Sequence, residues 1–125
     1  MKTRVLVIDD EEYVADSLAM LLSAIGYDVK AEYSGEAGLL RAKSFRPDCV
    51  ISDVLMPTIN GVETAIRMQQ LMPECTIMLL SAAPDIARQL LKSHRMDESF
   101  ELLAKPVHPR SLLASLPSVV KKQSA

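Results

Sequence analysis

The chain has 125 residues, a formal net charge of −2, 49% hydrophobic and 24% charged residues, and no Trp. That length suits one domain spanning residues 1–125, and the near-neutral charge argues against nucleic acid or an anionic membrane as a direct partner. Its two cysteines, Cys49 and Cys75, lie in apolar runs and read as buried reduced thiols, no apolar run approaches the ~20 residues of a membrane span, and the opening Met1-Lys2-Thr3-Arg4 has no signal-peptide cleavage pattern, so the expected setting is the cytoplasm.

Arg4-Val5-Leu6-Val7-Ile8 is a continuous run rich in β-branched residues, as expected of a strand covered on both faces, and it ends in Asp9-Asp10. From Glu11 the period becomes helical: Val14, Leu18, Leu21, Leu22 and Ile25 share a stripe, and Gly26 closes it. Residues 27–33 read as a second strand. Ser34-Gly35-Glu36 opens a second helix running to about Phe45, with Ala37 and Leu40 facing inward, and Pro47-Asp48 breaks the chain. Cys49-Val50-Ile51-Ser52 is a third buried strand ending in Asp53. Residues 56–61 have turn chemistry, and Val62, Ala65, Ile66 and Gln69 mark one side of a third helix that stops near Pro73. Residues 76–80 form a fourth strand ending in Ser81, and Pro84-Asp85 opens a helix to about Ser93. Residues 100–104 form a fifth strand ending in Lys105-Pro106. Pro109 and Ser111 start a last helix with Leu112, Leu116, Val119 and Val120 on one face, and Lys121-Lys122-Gln123 reads as a solvated tail.

Strands alternating with helices at this spacing imply a parallel sheet with right-handed crossovers and helices on both faces. Four strand ends then carry reactive groups: Asp9-Asp10, Asp53, Ser81 and Lys105. Open α/β sheets bind ligands beyond the carboxyl ends of their strands, so these groups should meet at one edge. Clustered carboxylates repel one another unless a cation joins them, and hard oxygen donors suit Mg²⁺. With that charge offset by the metal and Lys105, a carboxylate can serve as nucleophile toward a phosphoryl group. Taken singly, each residue has a plainer reading. Asp9-Asp10 or Ser81 could cap a helix, Asp53 could be a solvated strand end, and Lys105 an ordinary surface lysine. Their joint placement favours the site.

These pieces, with Asp53-Val54-Leu55-Met56-Pro57, Gly61 opening the third helix, Ser81-Ala82 and Lys105-Pro106, resemble the receiver domain of two-component response regulators across about residues 5–120. The resemblance implies a flavodoxin-like α/β fold: a five-stranded parallel sheet in order 2-1-3-4-5 with five helices on both faces. It makes Asp53 the phosphoacceptor. Asp10, Asp53 and the backbone carbonyl of Leu55 would ligate Mg²⁺, with Asp9 holding a metal-bound water. The Ser81 hydroxyl, the Ala82 N–H and the Lys105 ammonium would bind the phosphoryl oxygens, and the Lys105-Pro106 bond would be cis. The implied partners are a sensor histidine kinase or phosphotransfer protein, and a downstream protein that meets the fourth helix and fifth strand. A phosphorylation-dependent dimer is also compatible. Departures from the family pattern are Asn60 where Asp is common, Ser81 for the commoner Thr, and Leu102 where an aromatic switch residue is usual.

The rival readings are less well served. A small aspartyl phosphohydrolase resembling the haloacid dehalogenase group wants a second Asp where Leu55 stands. An FMN carrier needs a phosphate-binding loop where Asp9-Asp10-Glu11-Glu12 stands. A receiver fold that binds partners without phosphorylation is the remaining alternative, prompted by Leu102. The chain is not expected to be an enzyme beyond its own phosphorylation and dephosphorylation.

Overall fold

A computed structural model describes residues 2–56, 60–96 and 100–116. The apolar runs and the segment after Gly26 become the strands β1 (Arg4–Ile8), β2 (Asp28–Glu32), β3 (Cys49–Asp53), β4 (Thr76–Ser81) and β5 (Glu101–Ala104). Between and after them run the helices α1 (Glu12–Ala24), α2 (Gly35–Phe45), α3 (Gly61–Leu71), α4 (Pro84–Ser93) and α5 (Pro109–Ser115). All pairings are parallel, in the order β2-β1-β3-β4-β5. Central β3 is buried along its whole length, which is why it reads as an unbroken apolar run rather than an alternating one.

Side chains alternate across the sheet and feed two cores. On one face Leu6, Ile8, Val50 and Leu79 pack with Ala42 of α2, Val62, Ala65 and Met68 of α3, and Ala87 and Leu91 of α4. On the other, Val5, Val7, Ile51, Met78 and Leu80 pack with Ala15 and Leu22 of α1 and Leu112 and Leu116 of α5. Cys49 belongs to the second core, whereas Cys75 is only half-buried and packs against the first; neither is in a disulfide.

Two expectations need correction. Leu40 is 70% exposed, not inward. The phase of α2 is set by Gly35, Gly38 and Ala42, which are buried, because the helix rests Gly38 on Ile8 so closely that a Cβ there would overlap the Ile8 side chain. Ile25 is the C-cap of α1 and half-exposed, and the chain leaves through Gly26 at a φ of +110°, a conformation glycine adopts without strain. The described part of α5 runs from Pro109 to Ser115, and Leu116 after it is still in right-handed helical backbone (φ −73°, ψ −31°). The readings of Val119, Val120 and the lysine tail fall outside the described residues, as does the part of the predicted turn at 57–59.

Candidate functional site

Parallel pairing brings the carboxyl ends of β1, β3, β4 and β5 to one edge. The register places Asp53 beside Leu80 and Ser81 beside Ala104. Backbone bonds continue the sheet past its strands: Asp9 N–H donates to the Glu32 carbonyl (3.1 Å), Val54 N–H to Leu80 (2.9 Å) and Lys105 N–H to Ser81 (2.8 Å). The loops that carry the reactive groups are therefore held in place by the sheet itself.

Asp9 is 1% and Asp53 7% exposed, while Asp10 faces solvent. One Asp9 oxygen accepts the Glu11 N–H at 3.0 Å; the other accepts from Lys105 Nζ at 2.7 Å. The same Nζ lies 3.5 Å from Asp53 Oδ1. Ser81 is fully buried and its Oγ accepts the Ala83 N–H at 3.0 Å, so the capping reading of Ser81 holds for the turn into α4, although Ala83 occupies the cap position itself. Ala82 is exposed between them. Leu55 is exposed two residues beyond Asp53, and the Lys105-Pro106 bond is cis. The solvated-strand-end reading fails for Asp53, and the surface-lysine reading fails for Lys105, whose side chain is 17% exposed between two carboxylates.

Charge here is poorly solvated. Burial pushes the Asp53 carboxyl up to about 6; Lys105 opposes that lift, and Asp9 and Asp10 reinforce it. For Lys105 burial acts to lower the pKa, but the Asp9 hydrogen bond and the Asp53 charge outweigh it and hold the ammonium above the usual lysine range. Asp9, Asp10 and Asp53 each present an oxygen, all within 4.8 Å of one another. Three hard anionic donors this close, two of them buried, fit Mg²⁺ better than they fit one another.

Sequence reasoning anticipated this convergence but not the primary partner of Lys105, which is closer to Asp9 than to Asp53. It also named Gly61 without its reason. Gly61 N–H donates to the Val54 carbonyl at 2.6 Å, and a Cβ on Gly61 would run into the Asp53 carbonyl oxygen. The only sequence signal of that approach is a glycine at the first helical position, directly after a capping Asn60.

The family described as "Response regulator receiver domain" matches residues 5–117. The alkaline phosphatase synthesis transcriptional regulatory protein PhoP of Bacillus subtilis is 28% identical over 122 residues, which are 98% of this chain and 50% of PhoP. Response regulator ArlR of Staphylococcus aureus is 31% identical over 123 residues, covering 97% of this chain and 54% of ArlR. The chain thus spans about half the length of the curated relatives it matches. Among solved structures, response regulator protein TrrA of Thermotoga maritima in complex with Mg²⁺-BeF superposes with a TM-score of 0.80 at 28% identity, over 95% of this chain and 99% of that one.

Proposed function

We propose that this chain, which belongs to the response regulator receiver domain family, accepts a phosphoryl group on Asp53 from the phosphohistidine of a sensor histidine kinase or phosphotransfer protein and thereby changes its affinity for a downstream protein. The observation that carries the reading is Lys105 Nζ held between buried Asp9 and Asp53 at the end of the central strand. An Asp53 oxygen attacks phosphorus, the new O–P bond forms as the P–N bond breaks, and the departing imidazole takes its proton from solvent. Phosphoryl transfer asks the protein mainly for alignment and charge stabilisation. The Lys105 ammonium, the Ser81 hydroxyl and the Ala82 N–H are the donors available at this edge.

Asp10, Asp53 and the Leu55 carbonyl would hold Mg²⁺ directly, with Asp9 acting through a water. When bound, the ion supplies positive charge against the phosphoryl oxygens. The Mg²⁺-BeF complex of the Thermotoga relative supports this reading by analogy. Output would pass through α4 and β5, where Leu102 packs half-buried against the core shared with α4. The protein would act on no substrate but its own acyl phosphate. Among the described residues no helix is long and apolar enough to cross a membrane, in keeping with a cytoplasmic setting.

The test is intact-mass analysis after incubation with acetyl phosphate and Mg²⁺. One added phosphoryl group, abolished by chelating the metal, is expected. A chain that stays unlabelled leaves the second reading, phosphorylation-independent binding, which the non-aromatic Leu102 favours.

A further inference from the structure

Strand β2 is an edge of the sheet, with β1 as its only neighbour. A parallel strand bonds to each neighbour through alternate residues. Asp28 N–H donates to the Thr3 carbonyl (3.0 Å), and the Glu32 carbonyl accepts the Asp9 N–H (3.1 Å), so residues 28, 30 and 32 bond toward β1. Val29 and Ala31, and Tyr33 just after the strand, therefore turn their backbone groups outward. Such a row of donors and acceptors is a template for another strand unless something blocks it.

Charge is the usual block, but here the charges attract. Asp28, Lys30 and Glu32 lie on one side of β2, the side shared by Leu6 and Ile8 of β1. Two copies of β2 can pair antiparallel only through their outward residues, so the two-fold axis passes through Ala31 or Val29. At Ala31 the axis sets Lys30 of each copy opposite Glu32 of the other; at Val29 it sets Lys30 opposite Asp28. Only an axis at Lys30 would oppose lysine to lysine, and that residue bonds inward. The axis at Ala31 is favoured, because the one at Val29 needs the Tyr27 N–H, which already serves the Leu22 carbonyl. Among the described residues Lys30 makes no ion pair, while Glu32 holds Arg41 through Oε2 at 2.7 Å. Leu40 of α2, 70% exposed, lines a shallow pocket with Glu32 at this edge. The same axis brings both copies of α2 to one side of the joined sheet, which offers Leu40 cover.

We propose that the chain forms a two-fold dimer by antiparallel pairing of β2 with β2, centred on Ala31, which joins two five-stranded sheets into one. Ala31 pairs with its counterpart and Val29 with Tyr33, giving about six backbone hydrogen bonds. Because the paired strands run in opposite directions, the two Asp53 sites lie at opposite edges of the joined sheet. Both stay open, and the pairing needs no phosphorylation.

Sedimentation velocity of the unphosphorylated full chain at low salt, over a range of concentrations, tests this. Wild type should pass from monomer to dimer as concentration rises. Lys30→Glu opposes Glu to Glu and should weaken the dimer about tenfold or more. Glu32→Lys, made together with Arg41→Glu to keep that pair within the chain, opposes Lys to Lys and should weaken it similarly. An equimolar mixture of the two proteins restores both cross-strand pairs and should dimerise like wild type. Circular dichroism checks that each variant is folded, and Lys30→Glu, at an exposed site, carries its own arm whatever the other does. Wild type that stays monomeric at every concentration overturns the proposal. So does a dimer that Lys30→Glu leaves intact, which would lie on another face, or folded variants that stay monomeric when mixed, which would rule out the pairing of Lys30 with Glu32.

Discussion

Burial lifts the Asp53 carboxyl to about 6, against the pull of Lys105 and with help from Asp9 and Asp10. Between its ordinary value of 3.8 and about 6, the folded protein keeps a proton that the unfolded chain has lost. Stability must therefore fall as pH rises through that window and level off above it. Asp53→Asn removes the titration. In metal-free buffer its melting temperature should match wild type near pH 4 and exceed it by a few degrees (roughly 2–6 °C) at pH 7. A gap that does not change with pH would mean that Asp53 is not the strained charge. On the proposed phosphorylation of Asp53, its surroundings would set the lifetime of the acyl phosphate. In-line hydrolysis is helped by polar side chains that orient water, and the flanking positions here are Leu55, 42% exposed, and half-buried Ala83. Positioning of the general-base kind is worth roughly 10²-fold or more. Leu55→Asn with Ala83→Glu should therefore shorten the lifetime of the phosphorylated protein at least about tenfold, followed by mass after the donor is removed. An unchanged decay would show that access of water is governed elsewhere.

The N-terminus of α3 shows how an element can serve the site without contributing a reactive group. Asn60 caps the helix through Oδ1, which accepts the Glu63 N–H at 2.8 Å, and Gly61 then lies against the Asp53 backbone. Helix propensity alone predicts that Gly61→Ala stabilises by about 1 kcal/mol. The backbone overlap at Asp53 opposes this, and backbone yields far less easily than a flexible side chain. Gly61→Ala should lower the midpoint of urea unfolding and slow phosphorylation by acetyl phosphate; Asn60→Ala should cost about 1 kcal/mol of stability. A more stable Gly61→Ala protein would contradict the packing described. Element type and order were legible because each apolar run or helical stripe is bounded by Gly, Pro or Asp. The phase of α2 was not: Leu40 looked inward by hydrophobicity, while contact with Ile8 selects the small residue Gly38.

Across the whole molecule, the parallel sheet gathers at one edge groups up to 96 positions apart in the chain, Asp9 and Lys105. The site could be read from sequence because each of its parts stands at or just after the end of a strand, and parallel strands leave only one edge for them to share. The pairing of Lys105 with Asp9 could not, since it depends on which of two adjacent aspartates turns inward. The cluster of three carboxylates gives the proposed Mg²⁺ site a direct stability readout. Mg²⁺ that binds only the folded state stabilises it by about 2.7 kcal/mol at a hundredfold excess over Kd. The melting temperature should therefore rise with Mg²⁺, and exposed Asp10 should be needed for that rise although it contributes little to packing. An Asp10→Ala protein that keeps the full response would place the ion elsewhere.

The central claim concerns which atom takes the phosphoryl group, and one measurement addresses it directly. Protein labelled with acetyl phosphate and Mg²⁺ is reduced with borohydride, which converts an aspartyl phosphate to homoserine, and its peptides are mapped by mass. Homoserine at position 53 and at no other position is the expected result. An intact Asp53 in labelled protein, with homoserine at position 9 or 10 or a label that borohydride does not remove, would contradict the account.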